Sequence, residues 1–359
     1  MFNIAVLPGD GIGVDVTGEA VKILRAVETT SDLRFTLTMH ESGADCYLRT
    51  GADLPEATIA ACRSADAVLL GAMGHPDIRK PDGTELTPQV TLRVLLDLYA
   101  GVRPCRLYPG AKSPLQGGKA IDFIILREQS EGLFASQSGG IVLHDEVATD
   151  TLVMTRRGIR RIAEYAFRLA ERRPRQFGAI RKVTSVDKAN IFKSFAFFRK
   201  VVAEVAAQNP NIVHEQTYID AQALFLVQRP ERFDVIVTEN MFGDILSDLA
   251  AGLIGGMGMA PSGDIGDNHA VFQPAHGTAP DIAGIGIANP IAAILSAAMM
   301  LDWLGERHRS TDAIKAAARI EAAVAGLLAE GRVLPVDQGG GATTAEVGDR
   351  VVELMLDRR

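Results

Sequence analysis

Cysteine is scarce in this 359-residue chain. The three residues, Cys46, Cys62 and Cys105, are odd in number and lack C-x-x-C spacing. A disulfide-stapled scaffold is therefore not expected, and a reducing, cytoplasmic setting is. Basic charge is not in excess: 37 Lys and Arg stand against 44 Asp and Glu, a formal net charge of −7. No general basic field is available to hold nucleic acid. Long apolar runs are missing as well. The longest, Ile291 to Leu301, stops at Asp302, too short to cross a bilayer. The start, Met1-Phe2-Asn3-Ile4, has no basic n-region, so neither a secretory signal nor a membrane partner is expected. Repeats and low-complexity linkers are absent, which puts any domain boundary at the end of a strand or helix. What is present is ordinary globular composition, 47% hydrophobic and 23% charged. At roughly 150 residues per domain, the length predicts two domains.

Strand and helix signals alternate from the start. Ile4–Leu7 is a short apolar run closed by Pro8-Gly9-Asp10-Gly11-Ile12-Gly13, and Ala20, Val21, Leu24 and Val27 follow at helical spacing. Ala67–Leu70, Asp122–Leu126 and Phe233–Val237 read as further buried strands. Ile159, Ile162, Ala163, Ala166 and Leu169 mark an amphipathic helix. The alternation predicts an α/β chain with a parallel or mixed sheet in each domain. The stretch 139–155 differs. It is rich in β-branched residues with polar ones interspersed and predicts two short antiparallel strands, a β-arm for subunit contact or a plain surface hairpin.

Gly9-Asp10-Gly11-Ile12-Gly13 invites comparison with the G-x-G-x-x-G dinucleotide fingerprint. Val14 stands where the third glycine belongs, and no acid is clearly placed about 20 residues on. A tight strand-to-helix turn is the favoured reading. Asp244 and Asp248 in Asn240–Asp248 lie on one helix face, one turn apart. Like charges at that spacing repel. Hard oxygen ligands with room for water and substrate suit Mg²⁺ or Mn²⁺, and the helix dipole is the competing explanation for acids in a first turn. Asp220 is a possible third carboxylate. Arg93, Arg103 and Arg127 stand near element ends, either as carboxylate forks or as solvated surface residues. Lys188 between a strand and a helix is either a proton-transfer group of lowered pKa or surface. The loop His276-Gly277-Thr278-Ala279-Pro280-Asp281-Ile282-Ala283-Gly284 can expose amides to a nucleotide, or simply be a long connection.

Together these residues resemble the metal-dependent β-decarboxylating dehydrogenases, the family of isopropylmalate, isocitrate, homoisocitrate and tartrate/D-malate dehydrogenases. The similarity runs in order through Leu7–Gly13, Leu92-Arg93, Val102-Arg103-Pro104, Arg127-Glu128, Asp187–Asn190, Asn240–Asp248 and His276–Asn289, from Ile4 to about Thr344. It implies a two-domain α/β fold of the isopropylmalate-dehydrogenase kind, distinct from the Rossmann fold, with a small β-arm at about 139–155. A cofactor-binding domain would join residues 1–98 and 255–359. A substrate, metal and dimerisation domain would span 99–254. The active site would lie in the cleft and be shared within a homodimer, with Lys188 and Asp220 reaching in from the partner chain.

The resemblance also implies roles. Arg93, Arg103 and Arg127 would hold the carboxylates of a small hydroxy-dicarboxylate or tricarboxylate, with Gln89 and Val90 lining the pocket for its C3 substituent. Asp244, Asp248 and the partner chain's Asp220 would hold Mg²⁺ or Mn²⁺. Lys188 would help remove the hydroxyl proton. Ile12, His276, Gly277, Thr278, Ala279, Pro280, Asp281, Ile282 and Asn289 would bind NAD, Asp281 repelling the 2′-phosphate of NADP. The default substrate is 3-isopropylmalate, giving 2-oxo-4-methylpentanoate and CO₂ in leucine biosynthesis. D-malate, tartrate, isocitrate and homoisocitrate are the alternatives, and a catalytically weakened regulatory paralogue is the alternative of another class. Two positions depart from the family pattern. Phe134 stands where a tyrosine is usual, removing the hydroxyl of the expected proton donor. Gln89 stands where isopropylmalate enzymes are apolar, and a polar side chain suits a hydroxyl or carboxylate substituent.

Overall fold

A computed structural model of the chain describes residues 1–115, 120–136, 139–173 and 180–357. In chain order the elements begin β1 (Phe2–Gly9), α1 (Ile12–Thr30), β2 (Phe35–Met39), α2 (Ala44–Thr50), α3 (Glu56–Ser64), β3 (Ala67–Ala72) and α4 (Pro88–Leu95). Next come β4 (Ala100–Arg106), β5 (Asp122–Glu128), β6 (Ile141–Leu143), β7 (Val147–Thr149), α5 (Arg156–Arg172), β8 (Lys182–Asp187), α6 (Lys193–Ala206), β9 (Val213–Tyr218), α7 (Ile219–Gln228), β10 (Val235–Thr238) and α8 (Asn240–Leu253). The chain closes with β11 (Pro261–Ile265), β12 (Ala270–Pro274), α9 (Ile291–His308), α10 (Thr311–Glu330) and α11 (Thr344–Asp357). They form two compact units: Met1–Leu96 with Tyr108–Pro114 and Ile254–Arg359, and Asp97–Leu107 with Leu115–Leu253.

Within the first unit the strand order is β2-β1-β3-β12-β11. The pairings are parallel except for β11, which runs antiparallel to β12. β1 and β3 read FNIAVLPG and AVLLGA, nearly continuous apolar runs, as expected of parallel strands covered on both faces. Helices α1, α9, α10 and α11 pack around this sheet, and α9 is buried along most of its length. The turn from β1 into α1 is packed tight. A Cβ on Gly11 (φ 56°) would stand 2.2 Å from the Thr278 carbonyl oxygen, and one on Gly13 would stand 2.5 Å from Ala72 N and Pro8 O. These glycines admit neighbouring backbone, not a phosphate, so the turn is structural and the fold is not of the fingerprint type. Asp10, buried in the same turn, accepts from Ala44 N (2.7 Å), Asp45 N (3.0 Å) and Gly74 N (2.8 Å).

The second unit has the order β4-β5-β10-β8-β9, with β4 antiparallel to β5 and the others parallel. Helices α5 and α6 pack on each other and on this sheet, as do α7 and α8. β6 and β7 form a separate antiparallel hairpin, with Ile141, Val142, Leu143 and Val147 all exposed. No helix among the described residues is long and apolar enough to cross a membrane.

Candidate active site

The carboxyl ends of parallel strands are where α/β sheets gather function. In the second unit β5 ends on Arg127 and Glu128, β10 leads into Glu239 and α8, and β8 ends on Asp187 before Lys188. Arg127 is buried. Its Nε donates to Asn240 Oδ1 at 2.8 Å, and its Nη1 donates to Asp244. Its guanidinium lies 5.1 Å above the centre of the Phe134 ring. Arg103, on β4, is buried too. α8 carries Asp244 and Asp248 one turn apart, as the spacing predicts. The Asp248 carboxyl titrates above its ordinary value because it is partly buried and lies beside the charge of Asp244, while Arg103 and Arg127 pull it back. Two of the three arginines and both α8 aspartates therefore form one group.

Burial and like-charge repulsion at Asp248 are what a bound cation would relieve, so the donor set fits a hard divalent ion. It is incomplete in a single chain. Among the described residues no cluster of three His, Cys, Asp or Glu side chains can hold a metal. Asp220 lies elsewhere, as an ion pair with Lys188 (Nζ to Oδ1 2.5 Å). That hydrogen bond holds the Asp220 carboxyl below its usual range. Among the described residues no hydrogen bond or ion pair joins Lys188 or Asp220 to Asp244 or Asp248.

In the first unit Arg93 lies on α4. Its Nε donates to Asp264 Oδ2 at 2.8 Å, and the same buried oxygen accepts from Gln273 Nε2 at 3.1 Å. Gln89 and Val90, one helical turn earlier, are half-buried, and Gln89 Oε1 is enclosed without a hydrogen-bond partner. The loop after β12 is held at both sides. Thr278 O accepts from Ile12 N at 2.8 Å, and Gly284 N donates to Asp15 at 3.0 Å. Burial lowers the His276 pKa, which favours the neutral ring. Its Nδ1 lies 2.8 Å from Gly277 O, a group that only accepts, so Nδ1 carries the proton and Nε2 is an acceptor. That Nε2 is enclosed and unpartnered, and nothing stands within 4 Å of a Cβ built on Gly277, Gly284 or Gly286. An unmet acceptor beside open backbone fits a nucleotide. Asp281 is exposed in a short 3-10 turn with Pro280 and Ile282, after Ala279 in the left-handed region at φ 37°. Asn289 is engaged elsewhere. Its amide donates to Asp337 (3.0 and 3.1 Å), and its Oδ1 accepts from Ile291 N at the start of α9.

Several residues of these sites have no signal in spacing. Asn240 orients Arg127. Glu239 accepts from Met241 N and Phe242 N and so caps α8. Glu128 accepts from Ser130 N and Oγ and from Glu131 N, which shapes the turn toward Phe134. Burial raises both carboxyls. Asp264 was discoverable only as a charge inside the otherwise uncharged strand β11.

Comparison with known proteins places this arrangement in context. The family model described as isocitrate/isopropylmalate dehydrogenase matches residues 3–351. A 3-isopropylmalate dehydrogenase of Rhodococcus jostii strain RHA1 is 44% identical over 356 residues, 98% of this chain and 99% of the relative. A 3-isopropylmalate/3-methylmalate dehydrogenase of Methanocaldococcus jannaschii is 41% identical, covering 98% of each. A crystal structure of an isocitrate dehydrogenase from Methylococcus capsulatus superposes with a TM-score of 0.86 at 37% identity, covering 99% of both chains. With a family match over residues 3–351, relatives 41% and 44% identical along nearly the whole chain and the same α/β fold, the chain belongs to the isocitrate/isopropylmalate dehydrogenase family.

Proposed function

We propose that this chain oxidises and decarboxylates 3-isopropylmalate, with NAD as hydride acceptor and Mg²⁺ or Mn²⁺ at Asp244 and Asp248, as a cytoplasmic homodimer that shares its active sites. The observation carrying the reading is the group of buried Arg103 and Arg127 beside the two α8 carboxylates. Cations for a substrate dicarboxylate and anions for a metal meet at one place. The cofactors supply a hydride sink and a Lewis acid; the chain supplies everything else. Arg93, Arg103 and Arg127 neutralise and orient the carboxylates. Lys188, in the partner chain's site, helps remove the C2 hydroxyl proton, directly or through water, and its pairing with Asp220 delivers lysine and third carboxylate together. Protonation of C3 after CO₂ leaves has no hydroxyl at position 134 to draw on. In the cofactor domain, Ile12 and the 276–289 loop offer the Nε2 acceptor of His276, open glycines and the Asp281 carboxylate.

The test is NADH formation from 3-isopropylmalate that stops in excess chelator and returns with Mg²⁺ or Mn²⁺. Full turnover in chelator would make the α8 carboxylates structural. Gln89 favours a second reading. Its enclosed, unpartnered Oε1 would accept from the C3 hydroxyl of tartrate, and the amide's NH₂ would suit the carboxylate arm of isocitrate or homoisocitrate. The intact arginines, aspartates and lysine argue against a weakened regulatory paralogue.

A further inference from the structure

Asp187 ends β8 and is wholly buried. Both of its oxygens are taken. Oδ2 accepts from Arg199 Nε at 2.8 Å, and Oδ1 accepts from Arg199 Nη2 at 2.7 Å and from Ala189 N at 2.8 Å. The fork comes from the middle of α6, so it ties that helix to the residues on either side of Lys188. The same guanidinium lies 4.8 Å above the centre of the Tyr218 ring, and Tyr218 is the N-cap residue of α7, two residues before Asp220. Lys188 O accepts from Ile191 N (3.1 Å) and Phe192 N (3.2 Å), closing the loop onto the start of α6. One arginine thus touches the anchors of both Lys188 and Asp220.

The geometry points to Arg199 and Asp187 as positioning residues that set the height of Lys188 and Asp220 as a pair. This inference rests on the proton-transfer role proposed above for Lys188. A paired fork fixes both direction and distance, and a lysine in its place keeps the charge without the geometry. A displacement of about 1 Å at a reacting group costs on the order of 100-fold in rate.

The test is a double-mutant cycle on the full-length protein, with NADH formation as the readout. Arg199→Lys is expected to lower kcat by about tenfold to 100-fold, the upper end being that misplacement cost, while KM for the hydroxy acid stays within about threefold. In a Lys188→Ala background the same change should cost clearly less than in the wild type, because of the two groups Arg199 positions only Asp220 is then left. Tyr218→Leu, which removes the stacking surface from the other side, should follow Arg199→Lys in both backgrounds. Equal losses with and without Lys188, or full activity of Arg199→Lys, would overturn the positioning role alone. Near-normal turnover of Lys188→Ala would overturn the reading of Lys188 and this inference with it.

Discussion

Phe134 lies under the Arg127 guanidinium and is partly exposed, so its ring face stands against the group that would bind a substrate carboxylate. A tyrosine there would add one hydroxyl. General acid catalysis contributes on the order of 10² to 10⁴ to the step it serves. Phe134→Tyr is expected to raise turnover, and the wild-type chain to form NADH at least as fast as it releases CO₂. Unchanged or lower turnover in Phe134→Tyr would make position 134 a packing residue whose missing hydroxyl is irrelevant. Asp281 sets the other residue-scale expectation. Its exposed carboxylate repels a 2′-phosphate, and a tenfold preference for NAD needs only about 1.4 kcal/mol. Asp281→Lys with Ile282→Tyr should move kcat/KM toward NADP; equal use of both cofactors by the unaltered chain would contradict the assignment.

At the scale of elements, α1 contains two glycines in opposite circumstances. Gly13 faces backbone on two sides, whereas nothing stands within 4 Å of a Cβ on Gly18. Gly18→Ala should stabilise by about 0.5–1 kcal/mol through helix propensity. Gly13→Ala should cost about 1–3 kcal/mol through overpacking. Denaturant unfolding of both variants checks this, and equal effects would mean that the β1–α1 turn is loose. The same packing logic explains what was legible in the sequence. Ile4–Leu7, Ala67–Leu70 and Asp122–Leu126 fall inside β1, β3 and β5, because buried parallel strands are runs of apolar residues. Phe233 reads as strand but precedes β10. It is buried in an edge-to-face contact with Phe123, ring centres 6.3 Å apart, without joining the ladder. β4 and β9 escape notice, since AGVRPCR and VHEQTY carry charges and a proline in place of an apolar run. The helical face of Asp244 and Asp248 is written in their spacing. The burial of Arg127 is not, because its partner Asn240 is 113 residues away.

At the scale of the whole molecule, a single chain holds two of the three expected metal carboxylates in one group and the third with Lys188. A shared-site homodimer makes a sharp expectation from this. Asp220→Ala and Asp244→Ala should each be inactive alone. Unfolded together and reassembled in equal amounts, they should recover about a quarter of wild-type activity, because half of the dimers then contain one intact site. No recovery, with dimers re-formed, would mean that each chain works with its own residues.

The most direct measurement is kcat/KM for NADH formation with Mg²⁺ or Mn²⁺ over a panel of 2-hydroxy-3-carboxy acids: 3-isopropylmalate, D-malate, tartrate, isocitrate and homoisocitrate. The arginine–aspartate group and the family relationship predict turnover with 3-isopropylmalate ahead of the rest. A higher kcat/KM for one of the polar acids would give the substrate pocket to Gln89, and no NADH with any member of the panel would contradict the dehydrogenase reading itself.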